Sequence, residues 1–532
     1  MNVQRMVRAL AMLGCIAVAQ VAHAADPGQE DLDKAVDAQV AANSEADLGE
    51  VIKLCESAIE KGLSEENKTF ANQLLASSLT LRGELYSNAI FNPPGDQRWQ
   101  RLRTMALADL ERAVELAPAT AQTYVNIARL QALPDGDRKK AVEALNKAIE
   151  LKEDNPKLML RAFVMRAELT EDNAQRLADL NAAAELDPKD TDVLQIRGAY
   201  YLDQKEYDKA IADFQAASEQ SPEDPRSFHA IGIVKMLQEK TDEAIESFSK
   251  AIELAPQNVE YLTQRARAYT LKQETQRAID DLDVALEIDP LNVAGLLLRA
   301  TNYAQAGDHE LALGDVDEAL KVREDFTPAI QMRALLLARL KKIPEAIAAL
   351  ETVRAQTPDD LTSLLQLGML YTANQQVEKA IEIFGEVLAK DPKNSDALEA
   401  RADAYLTQGK HAEAIADYNQ ALEITPDDSG VLNNLAWVLS TSPQDQLRDG
   451  KRAQELATKA CELTEYKQAH ILSTLAATYA EQGDFTKAIE WSKKAVELGS
   501  EELREPLSKE LSSYQAGKPW REVKTPEPSG TP

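Results

Sequence analysis

The chain has little material for chemistry that depends on thiols or imidazoles. It holds three cysteines and five histidines in 532 residues. Cys15 lies in an apolar opening stretch, which leaves Cys55 and Cys461 at opposite ends of the remainder. Two thiols so far apart in sequence give no disulfide framework and no zinc pattern. Both fall where a helical stripe wants an apolar residue, so packing is their expected role. His229, His309, His411 and His470 include no pair at metal-ligand spacing. His309 and His411 share one register in different repeats, which reads as a recurring surface position. Gly-rich phosphate loops, nucleophile elbows and zinc-helix motifs are absent from the sequence. The expectation is therefore no enzyme, no metal and no cofactor.

Positive charge is also scarce. Lys and Arg number 59 against 88 Asp and Glu, for a formal charge of −29. Phosphate binding needs a basic footprint, so nucleic acid is not an expected partner, and anionic membrane surfaces are disfavoured likewise. An acidic surface keeps a long chain soluble, and it also suits a basic partner. Aromatics make up only 5%, and 21 glycines are sparse for this length. Alanine, leucine, glutamate and lysine dominate instead, a composition that favours helix. After the first 24 residues no apolar run is long enough to span a bilayer, so no integral membrane span is expected.

Residues 1–24 read as an export signal. Arg5 and Arg8 form its basic start, residues 9–21 its apolar centre, and Ala22-His23-Ala24 a small-x-small cleavage site. Cleavage after Ala24 predicts a periplasmic or secreted chain. A lipoprotein signal with an acylated Cys15 is the rival reading. Its box is imperfect at Met12 and Leu13, and the apolar run before Cys15 is short.

What the sequence does have is a ruler. Pro188, Pro222, Pro256 and Pro290 lie 34 residues apart, as do Pro358, Pro392 and Pro426, with one slot missing at Glu324. Such strict spacing marks an internal repeat. Residues 191–224 serve as the model unit. Gly198 and Tyr201 fall on its first helix, Ala210, Phe214 and Ala217 on its second, and Pro222 stops it. Small residues let two antiparallel helices approach, aromatics fill the space between units, and proline turns the chain. The slots recur as Gly232/Phe248, Ala266/Leu282, Ala300/Val316, Ala334/Leu350, Gly368/Phe384 and Ala402/Tyr418. Asp224-Pro225 and Thr327-Pro328 read as N-caps followed by a first-turn proline.

This pattern resembles the tetratricopeptide (TPR) superfamily over roughly residues 30–500. Leu432-Asn433-Asn434-Leu435-Ala436-Trp437 and Gly517-Lys518-Pro519-Trp520-Arg521-Glu522 are similar to segments of exported bacterial TPR proteins. The resemblance implies an all-α fold, a right-handed α-solenoid of about twelve antiparallel helix pairs with first helices lining its concave face. It also implies protein-binding scaffolding without intrinsic catalysis. One TPR subgroup grips a ligand's terminal carboxylate with Lys, Asn and Arg. Here the matching slots hold Gln195, His229, Thr263, Leu297, Gln331, Leu365, Glu399 and Asn433, so that activity is not implied.

The organisation read from sequence runs as follows. Residues 25–120 hold degenerate helical pairs with a breaker loop at 91–96. Two irregular repeats occupy 121–190, seven regular ones 191–428, and two more 429–500, the first with an insertion at 440–445. A polar capping helix spans 501–514, and the proline-rich tail, 515–532, is expected to be mobile. Mapping the family's groove slots gives an apolar stretch at Leu297, Ala304, Leu335, Ala338, Leu365 and Met369, then acids at Asp396, Glu399 and Asp403, with Trp437 beyond. Such a groove would take a protein or peptide segment with apolar anchors and a basic end. Packing against the next first helix is the alternative role for those leucines. Trp520 has two readings, a lid on the terminal helix or an exposed anchor. Three functional readings stay open: an extracytoplasmic scaffold, a membrane-associated or lipid-anchored assembly factor of an envelope complex, and an enzyme or carbohydrate-binding module within 26–118.

Overall fold

A computed structural model describes residues 26–91 and 98–522. The leader, Cys15, most of the breaker loop and residues 523–532 lie outside the described residues. The described chain is all helical apart from turns, and its α-helices pack in thirteen consecutive pairs followed by one terminal helix. The chain divides into two compact units, Met1–Pro256 and Gln257–Pro532.

Unit one holds six pairs. α1 (Gln29–Ala41) packs with α2 (Glu45–Lys61), and α3 (Glu65–Phe91) with α4 (Trp99–Leu116). α5 (Ala121–Gln131) packs with α6 (Arg138–Glu150), and α7 (Pro156–Leu169) with α8 (Asn173–Leu186). α9 (Thr191–Asp203) with α10 (Tyr207–Gln220), and α11 (Pro225–Leu237) with α12 (Thr241–Leu254), follow the model repeat. Thirteen pairs fit the expected count of about twelve, and α1 is the helix to which no stripe was assigned. Cys55 is fully buried there, as its slot implied.

Unit two holds seven pairs. They begin with α13 (Val259–Leu271) and α14 (Thr275–Ile288), then α15 (Val293–Ala306) and α16 (His309–Val322). α17 (Thr327–Arg339) pairs with α18 (Ile343–Gln356), and α19 (Leu361–Ala373) with α20 (Val377–Lys390). α21 (Ser395–Thr407) pairs with α22 (His411–Ile424), α23 (Ser429–Thr441) with α24 (Gly450–Leu463), and α25 (Ala469–Glu481) with α26 (Phe485–Leu498). α27 (Glu501–Gln515) closes the unit.

The regular pairs repeat the same local devices, with one exception at the start of α17. Asp190, Asp224, Asn258, Asn292, Asp360, Asn394 and Asp428 cap the first helices, each side chain accepting from a first-turn backbone N–H. The turn to the second helix needs one left-handed residue. That register holds Lys205, Glu239, Gln273, Gly307, Lys341, Gln375 and Gly409.

Inside the pairs, small residues match large ones. A Cβ added at Gly198, Gly232 or Gly368 would come within 2.4–2.7 Å of the ring of Phe214, Phe248 or Phe384. Where the first helix has Ala266, Ala300 or Ala334, the second helix offers Leu282, Val316 or Leu350 instead. The two positions trade volume so that each core stays close-packed.

A charged staple adds to this. Arg197–Asp213, Arg265–Asp281, Arg299–Asp315 and Arg401–Asp417 join first to second helix through paired hydrogen bonds of 2.7–2.9 Å. Arg82–Asp109 and Arg166–Asp179 do the same in the irregular pairs of unit one. Arg299 also reaches Asp283 of the preceding second helix at 2.7 Å, so one guanidinium ties two pairs together.

Three expectations need correction. Thr327 is the first residue of α17, not its cap. Phe326 holds the cap position without a side-chain bond, and the Arg323 guanidinium lies 4.2 Å from its ring centre. α23 runs on to Thr441, and the Ser440 and Thr441 hydroxyls bond back to the carbonyls of Ala436 and Trp437. The inserted loop therefore spans 442–449, with a short 3-10 turn at Asp445–Leu447. The terminal helix is not polar all round, since Leu507, Glu510 and Tyr514 are buried.

Candidate protein-binding face

The repeat of 34 places one residue of each first helix in a common register. In unit two this row reads Arg267, Thr301, Leu335, Met369, Asp403 and Trp437. Leu335 and Met369 are 53% and 49% exposed, and they occupy the same register of successive first helices. Leu297 and Leu365 differ. Both are half-buried, Leu297 against the cluster around Ala300, Val316 and Leu336, and Leu365 against that around Leu364 and Leu367. Ala304 and Ala338 are half-buried too. Of the apolar set predicted from sequence, only Leu335 and Met369 stand free of the core.

The acids follow one unit further on, along α21. Asp396 is exposed and Glu399 half-buried. Asp403 Oδ1 accepts from the Tyr418 hydroxyl and, at 3.4 Å, from Asn434 Nδ2. Its carboxyl is held above the usual range by burial, against the opposing effect of those two donors.

Glu399 breaks a recurrent network. In two other repeats the same register holds glutamine. Gln195 Nε2 donates to Asp224 (3.1 Å) and Ser227 (3.0 Å), and Gln331 Nε2 to Asp360 (2.7 Å) and Ser363 (2.9 Å). At Glu399 the partner positions are Asp428 and Val431, so an acid faces an acid and an aliphatic side chain. Burial, then the negative charges of Asp428, Asp403 and Asp396, push its carboxyl up to about 7. A cation brought here would relieve that repulsion.

Trp437 is not open. Residues 516–522, expected to be mobile with the rest of the tail, fold back onto α23 and α25. Ala516 and Gly517 turn the chain, Gly517 with φ of +70°, and Lys518 N–H donates to Ser513 O at 3.0 Å. Trp520 then enters the cluster formed by Trp437, Ala476, Ala477, Ala480 and Phe485, the lid of the two readings. Glu522 accepts from Trp437 Nε1 (2.6 Å) and faces His411 Nε2 (2.9 Å). Arg521 donates to Ser440 O (3.1 Å) and pairs with Glu481, which also holds Arg448 of the inserted loop (2.9 Å).

His411 was read as a surface position. It is buried, with Nδ1 facing Gly409 O at 3.0 Å, because the terminal segment covers it. No local signal marks that partnership, since His411 and Glu522 are 111 residues apart. Among the described residues no helix is long and apolar enough to cross a membrane, and no group of three or more His, Cys, Asp or Glu could hold a metal ion.

Models of the tetratricopeptide repeat match residues 121–155, 171–225, 229–293, 331–395, 365–429 and 468–503, together more than half of the chain. Solved structures similar to the chain include the following three. A tetratricopeptide repeat protein from Parabacteroides merdae is 21% identical, with 47% of this chain and 98% of that one covered and a TM-score of 0.35. YrrB, described as a TPR protein with an unusual peptide-binding site, is 22% identical over 36% of this chain and 98% of its own, TM-score 0.33. Yeast Tom70 is 18% identical over 83% and 96%, TM-score 0.34. No curated protein matches the chain.

Proposed function

The chain belongs to the tetratricopeptide repeat proteins, and from that premise we propose that it is a non-catalytic scaffold gathering proteins in an extracytoplasmic compartment. Unit two holds the binding face, on its first helices, for an extended or helical protein segment. The observation that carries this reading is the pair Leu335 and Met369. They occupy one register of successive repeats, both half-exposed, next to Asp396, Glu399 and Asp403. Apolar anchors at that spacing suit a segment laid across the first helices. The strained carboxylate of Glu399 suits a lysine or arginine following the anchors.

The compartment rests on residues 1–24, whose basic start, apolar centre and small-x-small end make an export signal. Fractionation tests it. The protein is expected in the soluble envelope fraction, with a mature start near Ala25. Recovery with membranes, or a diacylated Cys15, would favour the assembly-factor reading.

The face is tested by Leu335→Asp with Met369→Asp. Both side chains are exposed, so the fold should survive. Leu365 is unsuitable for this purpose, because it packs on the core. Crosslinking in the native envelope should lose its main partner in the double variant. An unchanged partner set, in a protein with unchanged melting, would remove the proposal.

A further inference from the structure

In a regular repeat the carbonyl three residues before the left-handed turn residue is taken by that residue's own N–H. Lys205 N–H donates to Leu202 O, Gln375 to Thr372 O, and Gly409 to Leu406 O, at 2.8–3.0 Å. The register falls on Ser440 in α23. There the inserted loop removes the turn residue, and the donor to Ser440 O is Arg521 Nη1. The next carbonyl, of Thr441, takes the Glu522 N–H at 3.0 Å. Ser440 and Thr441 are almost wholly buried, at 1% and 0% exposure. With the segment in place both carbonyls are shut off from water, and Arg521 and Glu522 supply their donors.

The rest of the surroundings reads an extended peptide side chain by side chain. The Trp520 indole joins one hydrophobic cluster with Ala476, Ala477, Ala480, Trp437, Phe485 and Tyr514 of α27. Glu481 takes a guanidinium. Trp437 Nε1 and His411 Nε2 converge on a carboxylate. Apart from Tyr514, these groups belong to α22, α23, α25 and α26, which pack in consecutive pairs. The segment itself stays at the surface: Pro519, Trp520, Arg521 and Glu522 are only half-buried, and Lys518 is exposed.

We propose that this surface of α23 and α25 is a peptide-binding site, that residues 520–522 are its tethered occupant, and that a partner protein's segment carrying an aromatic, an arginine and an acid in that order competes for it. The proposal rests on the reading of the chain as a binder of protein segments, and adds a second site with its own chemistry. The tethered segment sets a threshold, because a partner must outcompete a ligand present at high local concentration.

A labelled hexapeptide with the sequence of residues 517–522, amidated at its end, tests this by fluorescence anisotropy. The receptor is the full chain carrying Trp520→Ala and Arg521→Ala, which empties the site and leaves α27 in place. Saturable binding is expected, at least about tenfold tighter than to the unaltered chain. Glu522→Gln in the full chain, which keeps the indole docked, is expected to fall between the two. Replacing arginine by alanine in the hexapeptide should weaken binding about tenfold, since a charge-assisted bond is lost. No saturable binding to either folded variant, or equal binding to the unaltered chain, would overturn the proposal. Adding Leu335→Asp and Met369→Asp to the emptied receptor separates the two sites. Unchanged hexapeptide binding supports a distinct site, and lost binding overturns it.

Discussion

Unit two is broken twice, and the two breaks are mended differently. At residues 323–328 the repeat loses both its proline and its capping aspartate or asparagine. The mend is local: Phe326 fills the cap position, partly buried against the adjoining core, with Arg323 over its ring. At 442–449 an insertion replaces the turn after α23. That mend comes from some eighty residues further along the chain, where Arg521 and Glu522 supply the missing donors. A break that removes one cap can be absorbed by its neighbours. A break that leaves two buried carbonyls needs a second strand of chain, and that strand then becomes a feature another protein can imitate.

The largest expected effect is at the second break. Trp520→Ala should cost about 2–3 kcal/mol, below the figure for a fully buried tryptophan because this indole is half-exposed. Hydrogen exchange should place the loss in α23, α25 and α27. Exchange unaltered there would mean that the segment contributes nothing to the mend.

The helix that delivers the segment carries a buried acid. Glu510 is 8% exposed, it accepts from the Ser473 hydroxyl, and burial pushes its carboxyl up to about 7. A folded-state value above the ordinary 4.5 means that the folded protein holds the proton more tightly. Stability from this group is therefore full below about 4.5 and is lost as pH rises to about 7. Glu510→Gln should gain on the order of 2 kcal/mol near pH 8 and little near pH 4, read by urea unfolding at both. An equal gain at both would refute the titration argument.

At the first break Phe326→Ala should cost about 1 kcal/mol, with faster exchange confined to the start of α17. A loss as large as that of Trp520→Ala would erase the distinction between the two mends. The smallest effect is expected in an unbroken repeat. Gln375→Gly should gain about 0.5 kcal/mol, since Gln375 sits at φ of +59° where glycine is unstrained. A loss on melting would show that its side chain matters more than its backbone.

Most of the helix pairs were legible because proline, the small–large slots and the caps recur at one spacing within a single sequence. The Arg–Asp staple was not. It is present at Arg401 and Asp417 but replaced by Leu367 and Ile383 one repeat earlier, so it never forms a constant motif. Of the candidate face, the register was legible and the exposure was not. Leu335 and Leu365 look alike in sequence, and only packing separates the exposed one from the half-buried one. Trp437 was read as a groove position, and the terminal segment covers it. Its partner, Glu522, lies 85 residues away, beyond the reach of any local pattern.

The central claim is that the first-helix face of unit two binds protein segments. A photo-crosslinking amino acid at position 369, compared with one at Val284 on a second helix, where the side chain is 43% exposed, tests it most directly. Expressed in the native envelope, position 369 is predicted to yield a discrete crosslinked partner that position 284 does not. Crosslinks from 284 alone, or the same products from both, would contradict the account.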